Sequence, residues 1–126
     1  RFNVAHGMAN AVLLPTACAW SWPAAPSRYR DVGIAMGVVT IAGTSPEEGA
    51  RATVDAITRL CEAVGVPSMA GLGVSADAYA AAVPAMAVDA LASGSPSNNP
   101  RIPDTAEIED LYRDAYSPAN GALAPR

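Results

Sequence analysis

No lysine occurs among these 126 residues, and there is one histidine, one phenylalanine and a single pair of cysteines. Without a primary amine in any side chain, a Schiff-base lysine, a phosphate-loop lysine and a kinase lysine are all excluded. Imidazole chemistry falls to His6 alone. A serine triad would have to use it as base, and no G-x-S-x-G turn presents a nucleophile. Cys18 and Cys61 sit on apolar stretches without C-x-x-C spacing, so they read as paired buried thiols or as two unconnected core residues. Both point to a reducing compartment, and the expected location is the cytoplasm. Basic runs are missing as well. Eight arginines stand against twelve acids for a net charge of -4, scattered from Arg1 to Arg126, which disfavours nucleic acid as a partner. No stretch approaches the roughly 18 uninterrupted apolar residues of a membrane span.

What is present is globular in composition: 51% hydrophobic residues, 16% charged, and the length of one domain. Arg1 followed by the apolar run Ala11 to Trp20 faintly mimics a secretory leader. His6, Asn10 and Pro15 interrupt that run, and Pro23 and Pro26 crowd the would-be cleavage site, so the segment reads as mature protein. A chain opening at Arg1, directly on a helical pattern, has the look of a cut piece.

Apolar periodicity is helical throughout, with no strict two-residue alternation, and the expected class is all-α. A first helix is expected from about His6 to Ala19, with Met8, Val12 and Ala19 on one face and His6, Asn10 and Leu13 on a neighbouring one; Pro15 should kink it. A second should open at Ser27 as N-cap, turn Tyr29, Val32 and Met36 inward and stop at Gly37. The β-branched stretch Val38 to Ile41 is read as loop. Ser45-Pro46-Glu47-Glu48 sets a capping serine, a first-turn proline and a glutamate at N3. That third helix should end at Gly65, with Ala50, Val54, Ile57, Cys61 and Val64 as one apolar stripe. A fourth starts near Ser75 or Asp77, carries Tyr79, Val83, Met86 and Ala90, and should be bent or split at Pro84. Ser93 to Pro103 is an irregular connection. Asp104 or Thr105 caps a last helix with Glu107 in reach and Ile108, Leu111, Tyr112 and Ala115 on its apolar edge. Residues 1–116 thus form the domain, and 117–126 a frayed tail.

Few residues here could carry chemistry. His6-Gly7 heads an apolar helix, and imidazole is the commonest metal ligand. A metal needs about three or four ligands, however, and no second histidine or nearby carboxylate accompanies it. A structural histidine is the plainer alternative. Gly71-Leu72-Gly73-Val74-Ser75-Ala76 meets the loose G-x-G-x-x-A form of a dinucleotide fingerprint but lacks the strand that must precede it, so it reads as loop. Glu47, Glu48, Glu107, Glu109 and Asp110 fall near helix starts, where they complement the macrodipole. Asp89 is a lone acid in an alanine-rich helix, explained as well by exposure as by catalysis. Trp20 and Trp22 read as packing.

His6-Gly7-Met8-Ala9-Asn10-Ala11-Val12-Leu13-Leu14-Pro15 resembles the H-G-x-x-N-A-x-x-L-P segment of the iron-containing (group III) alcohol dehydrogenases. Arg30-Asp31-Val32 through Ala35-Met36-Gly37 looks like that family's next helix. Leu60 through Gly65-Val66-Pro67 is similar to its helix ending in a G-I-P-type turn, and Asn99-Pro100-Arg101 through Leu111-Tyr112 to Ala115-Tyr116 to its N-P-R and L-Y-x-x-A-Y elements. Order and spacing agree along nearly the whole chain.

The resemblance implies a helical bundle, the C-terminal part of the helical domain of a two-domain enzyme. That family transfers hydride between an alcohol and NAD(P), with an aldehyde or ketone as product. An N-terminal domain with a G-G-G-S motif holds the cofactor, while an aspartate and three histidines bind a divalent metal, iron or sometimes zinc. Only the last of those ligands maps, onto His6, whose second ring nitrogen would need a partner to set the tautomer. Gly7 and Asn10 favour the dehydrogenases over the metal-free maleylacetate reductases of the same superfamily. The implied partners are a small alcohol or aldehyde, the missing cofactor domain and further copies in a homo-oligomer. By itself the chain is expected to be inactive and to hold no cofactor tightly. The competing expectation is a non-catalytic helical interaction module or remnant.

Overall fold

The computed structural model describes residues 2–40 and 42–116. Five α-helices follow one another: α1 (His6–Ser21), α2 (Pro26–Ala35), α3 (Pro46–Ala63), α4 (Ala76–Ala92) and α5 (Thr105–Tyr116), with short 3-10 turns at Trp22–Ala24 and Ser95–Asn98. No strand occurs among the described residues, so the all-α expectation holds. Among the described residues no helix is long and apolar enough to cross a membrane. The tail expected at 117–126 lies outside the described residues, as does Ile41 of the stretch read as loop.

Helix α1 is the spine, because its two halves belong to two different apolar clusters. Its C-terminal half contributes Cys18 and Ala19 to a cluster with Trp22, Ala50 and Val54, against which Tyr29 and Ile57 pack. Its N-terminal half sets Val12 among Met69, Tyr79 and Val83, with Phe2, Val4, Met86, Tyr112 and Tyr116 around them. Two helical hairpins, α2–α3 and α4–α5, are thereby gathered on one helix. α1 packs directly on α3 and α5 but makes no comparable contact with α4. The helix continues through Pro15, which is buried. Proline has no N–H for the Ala11 carbonyl; the Cys61 thiol lies 4.0 Å from that oxygen, a long and weak replacement.

The α2–α3 pair is close because two glycines allow it. A side chain at Gly33 would run into Thr53 Oγ1 and Val39, and one at Gly49 would run into the stem of Arg30. The Thr53 hydroxyl, fully buried, shares its proton between the carbonyls of Gly49 at 2.8 Å and Tyr29 at 2.9 Å. Caps agree with the sequence at three helices. Ser45 Oγ accepts from Glu48 N and Ser75 Oγ from Ala78 N, each at 3.2 Å. Asp104 and Glu107 complete a reciprocal box: Glu107 N donates to Asp104 Oδ1 at 2.8 Å, and Asp104 N to Glu107 Oε1 at 3.2 Å. Gly37 and Gly65 close α2 and α3 with φ of 78° and 77°.

Several local expectations are corrected. Ser27 is not the cap of α2; the helix starts at Pro26 behind Ala25, without a side-chain cap, because proline's fixed φ already suits the first position. Val32 and Met36, expected inward, are 49% and 40% exposed, and Val64 at the end of the α3 stripe is 69% exposed. Glycine and threonine, not the large apolar residues, form the α2–α3 seam. Met8 is likewise exposed. Pro84 lies inside one unbroken helix.

Candidate functional site

His6 stands at the first position of α1, exposed, with Gly7 behind it and nothing within 4 Å of where a Gly7 side chain would be. The ring is therefore fixed at its base by a helix and open at its tip. One turn along, Asn10 Nδ2 lies 3.2 Å from His6 Nε2, the spacing at which helical side chains meet. Ala9 and Leu13 continue the same face. They form one wall of an apolar cleft of about 350 Å³, completed by Phe2, Val4, Met69, Tyr79, Met86 and Tyr112, with Asp89 at its edge. A second cleft of about 380 Å³ adjoins it at Leu13, Ala90 and Tyr112 and runs on toward Trp20 and Pro103. Residues of both α1 and α4 line the two clefts.

Two tyrosines stiffen the cluster around Val12. Tyr79 OH donates to Tyr112 O at 2.8 Å, and Tyr116 OH donates to Val74 O at 2.7 Å. Their rings lie 4.9 Å apart, and Phe2 stacks on Tyr79 at 6.0 Å. Burial, with Tyr112 adding to it, pushes the Tyr79 phenol up to about 12. At the other end of α1, burial and then the neighbouring Cys18 raise Tyr29 to about 12. Burial also raises both thiols above their ordinary value. Neither is a ready nucleophile or metal ligand, and both are free.

Asn99 and Arg101 clamp the far end of α1. The Arg101 guanidinium stacks on Trp20, 3.8 Å from the ring centroid, and Nη1 donates to the Trp20 carbonyl at 3.0 Å. Nη2 pairs with Glu107 at 3.3 Å. Asn99 Nδ2 donates to Ser21 Oγ at 2.8 Å and to Arg101 O at 2.6 Å. A cation is thus set at a helix C-terminus, where the dipole favours it. Both tryptophans are core, as expected, and Arg51 covers Trp22 at 5.1 Å.

Of the residues singled out from sequence, Gly71 to Ala76 lies in a turn that leads into α4, not between a strand and a crossover helix. It is no dinucleotide cradle. Among the described residues no three His, Cys, Asp or Glu side chains converge on a point that could hold a metal. The donor set for a divalent ion is therefore one imidazole, fit to be a single ligand and insufficient for a site. The sequence pattern set Asn10 beside His6 but not their hydrogen bond; the signal was the four-residue spacing. Thr53 and the stacking of Arg101 on Trp20 escaped it, since both join segments far apart in the chain.

The pattern described as "Fe-containing alcohol dehydrogenase family, C-terminal" matches residues 1–116. The chain belongs to that family, in its C-terminal helical part. It is 36% identical over 116 residues to a 1,3-propanediol dehydrogenase of Klebsiella pneumoniae and 34% identical to a lactaldehyde reductase of Escherichia coli K12. Both alignments cover 91% of this chain and 29% of the relative. A crystal structure of a 1,3-propanediol oxidoreductase superposes with a TM-score of 0.81 at 35% identity, over 91% of this chain and 29% of that one. The chain thus spans about 29% of the length of the relatives it matches.

Proposed function

We propose that this chain is the C-terminal helical part of a metal-dependent alcohol dehydrogenase that interconverts a small alcohol and its aldehyde or ketone with NAD(P), and that His6 is one of its metal ligands. The observation that carries this is the family match from 1 to 116, with the only imidazole of the chain exposed at the head of its spine helix. In this reading the other metal donors and the cofactor-binding segment come from outside the 126 residues. A divalent ion, iron by the family's description or zinc, supplies Lewis acidity toward an alcohol or carbonyl oxygen when bound. The chain's own part is to present His6 on a helix held at both ends: Tyr79 and Phe2 pack at one, Arg101 and Asn99 at the other. By itself the chain is inactive and retains neither metal nor dinucleotide. Two free, buried or half-buried thiols suit a reducing cytoplasm.

A chimera tests the function. Residues 1–116 are placed in the Klebsiella 1,3-propanediol dehydrogenase in exchange for the region they match. NAD-linked oxidation of 1,3-propanediol in the presence of ferrous ion is expected, and His6→Ala should abolish it. A folded chimera that is inert, or one whose activity survives His6→Ala, contradicts the proposal.

A further inference from the structure

The contact between Asn10 and His6 has a chemical consequence that a merely structural pair would lack. In neutral imidazole one ring nitrogen carries the proton and the other a lone pair, and a nitrogen that accepts a hydrogen bond is the one without the proton. Water alone leaves neutral histidine mostly as the Nε2–H tautomer. Here the atom 3.2 Å from Nε2 is the amide nitrogen of Asn10, a donor only. We infer that Asn10 is a positioning residue that holds His6 as the Nδ1–H tautomer, keeping the Nε2 lone pair unprotonated and directed at the Asn10 amide until a cation displaces it. This rests on the reading of His6 as a metal ligand, for which it supplies the prepared donor atom: an incoming cation then replaces a hydrogen bond at Nε2 instead of a covalent N–H.

The surroundings support this assignment. His6 and Asn10 are both exposed, so their pairing is not forced by a tight core. The helix supplies the geometry, since Asn10 lies one turn beyond His6 inside α1. Gly7 carries no side chain of its own to compete for the ring, and nothing lies within 4 Å of where one would be.

Because His6 is the only histidine, long-range proton–nitrogen correlation spectra of the intact 126-residue chain show one imidazole and read its tautomer without assignment. With the ring neutral, the wild-type chain should carry clearly more Nδ1–H than free histidine does. Asn10→Ala should lower the Nδ1–H to Nε2–H ratio by roughly twofold to tenfold, the range one hydrogen bond's net contribution spans. Asn10→Asp, which offers only an acceptor, should drive the ring further to Nε2–H. Circular dichroism should show that both variants keep their helices, as expected for an exposed position. A wild-type ratio equal to that of free histidine, or a ratio unmoved by Asn10→Ala, overturns the inference even if His6 proves to bind metal in the chimera. A tautomer that responds as stated sustains it independently of the chimera's activity.

Discussion

At the residue scale, the same amino acid does opposite work at two places. Gly33 sits in a helix interior, where alanine is ordinarily favoured by about 1 kcal/mol. Its missing side chain, however, leaves room that Thr53 Oγ1 and Val39 occupy. Gly33→Ala should destabilise the chain by about 1–3 kcal/mol, as overpacking does, while Gly7→Ala, with open space around it, should be neutral or stabilising by up to about 1 kcal/mol. Urea unfolding of the two variants checks both signs; a stabilising Gly33→Ala would mean that α2 and α3 are not packed at Thr53. The tyrosines give a pH dependence. Tyr79 and Tyr29 titrate near 10 when unfolded and about 12 when folded. Above pH 10 the unfolded chain therefore binds fewer protons than the folded one, and stability falls as pH rises through the window from 10 to about 12. Melting curves across that window should show the loss, and Tyr79→Phe, though less stable at neutral pH for want of its bond to Tyr112 O, should show a shallower one. The candidate site was partly legible at this scale. His6 could be named because it is the sole imidazole; the Thr53 and Arg101 contacts could not, because they depend on which distant segments meet.

At the scale of the element, helix starts were the most readable part of the sequence. Ser45, Ser75 and Asp104 all accept from backbone N–H groups where the pattern set them, because a cap is decided by three or four consecutive residues. Ser45→Ala and Asp104→Ala should each cost about 0.5–2 kcal/mol. Asp104→Ala should fall at the upper end, since its box also orders Glu107 against Arg101; thermal melts rank the two, and equal, negligible effects would deny the caps a role. Apolar stripes were less readable. Val32, Met36 and Val64 follow helical spacing yet lie at the surface, since periodicity tells which residues share a face and not what covers that face. Pro84 does not split α4, since a helix tolerates an internal proline when its neighbours are packed, as Val83 and Ala87 are.

At the scale of the whole molecule, the surplus of exposed apolar surface is the main feature that the chain's own packing does not absorb. Met36, Val38 and Leu60 border a depression with Ala52, Ala56 and Ala63, edged by the charged Asp55 and Arg59, and Val32 on α2 and Val64 just past α3 are also exposed. Exposed apolar surface rimmed by charged residues marks contact surfaces. The isolated chain should self-associate in a concentration-dependent way on sizing, and Leu60→Glu should weaken that association; a clean monomer at high concentration would show that the face is compatible with water. The all-α class and the family were legible across the full length, as the H-G-x-x-N, N-P-R and L-Y-x-x-A-Y segments all fall on or beside α1 and α5. A full set of metal donors was not, and among the described residues no three ligating side chains converge. The most direct test of the account is the metal-to-protein ratio of the chimera carrying residues 1–116, after loading with ferrous or zinc ion and desalting. A ratio near one that falls toward zero on His6→Ala is predicted; an unchanged ratio in the folded His6→Ala chimera would contradict the assignment of His6 as a ligand.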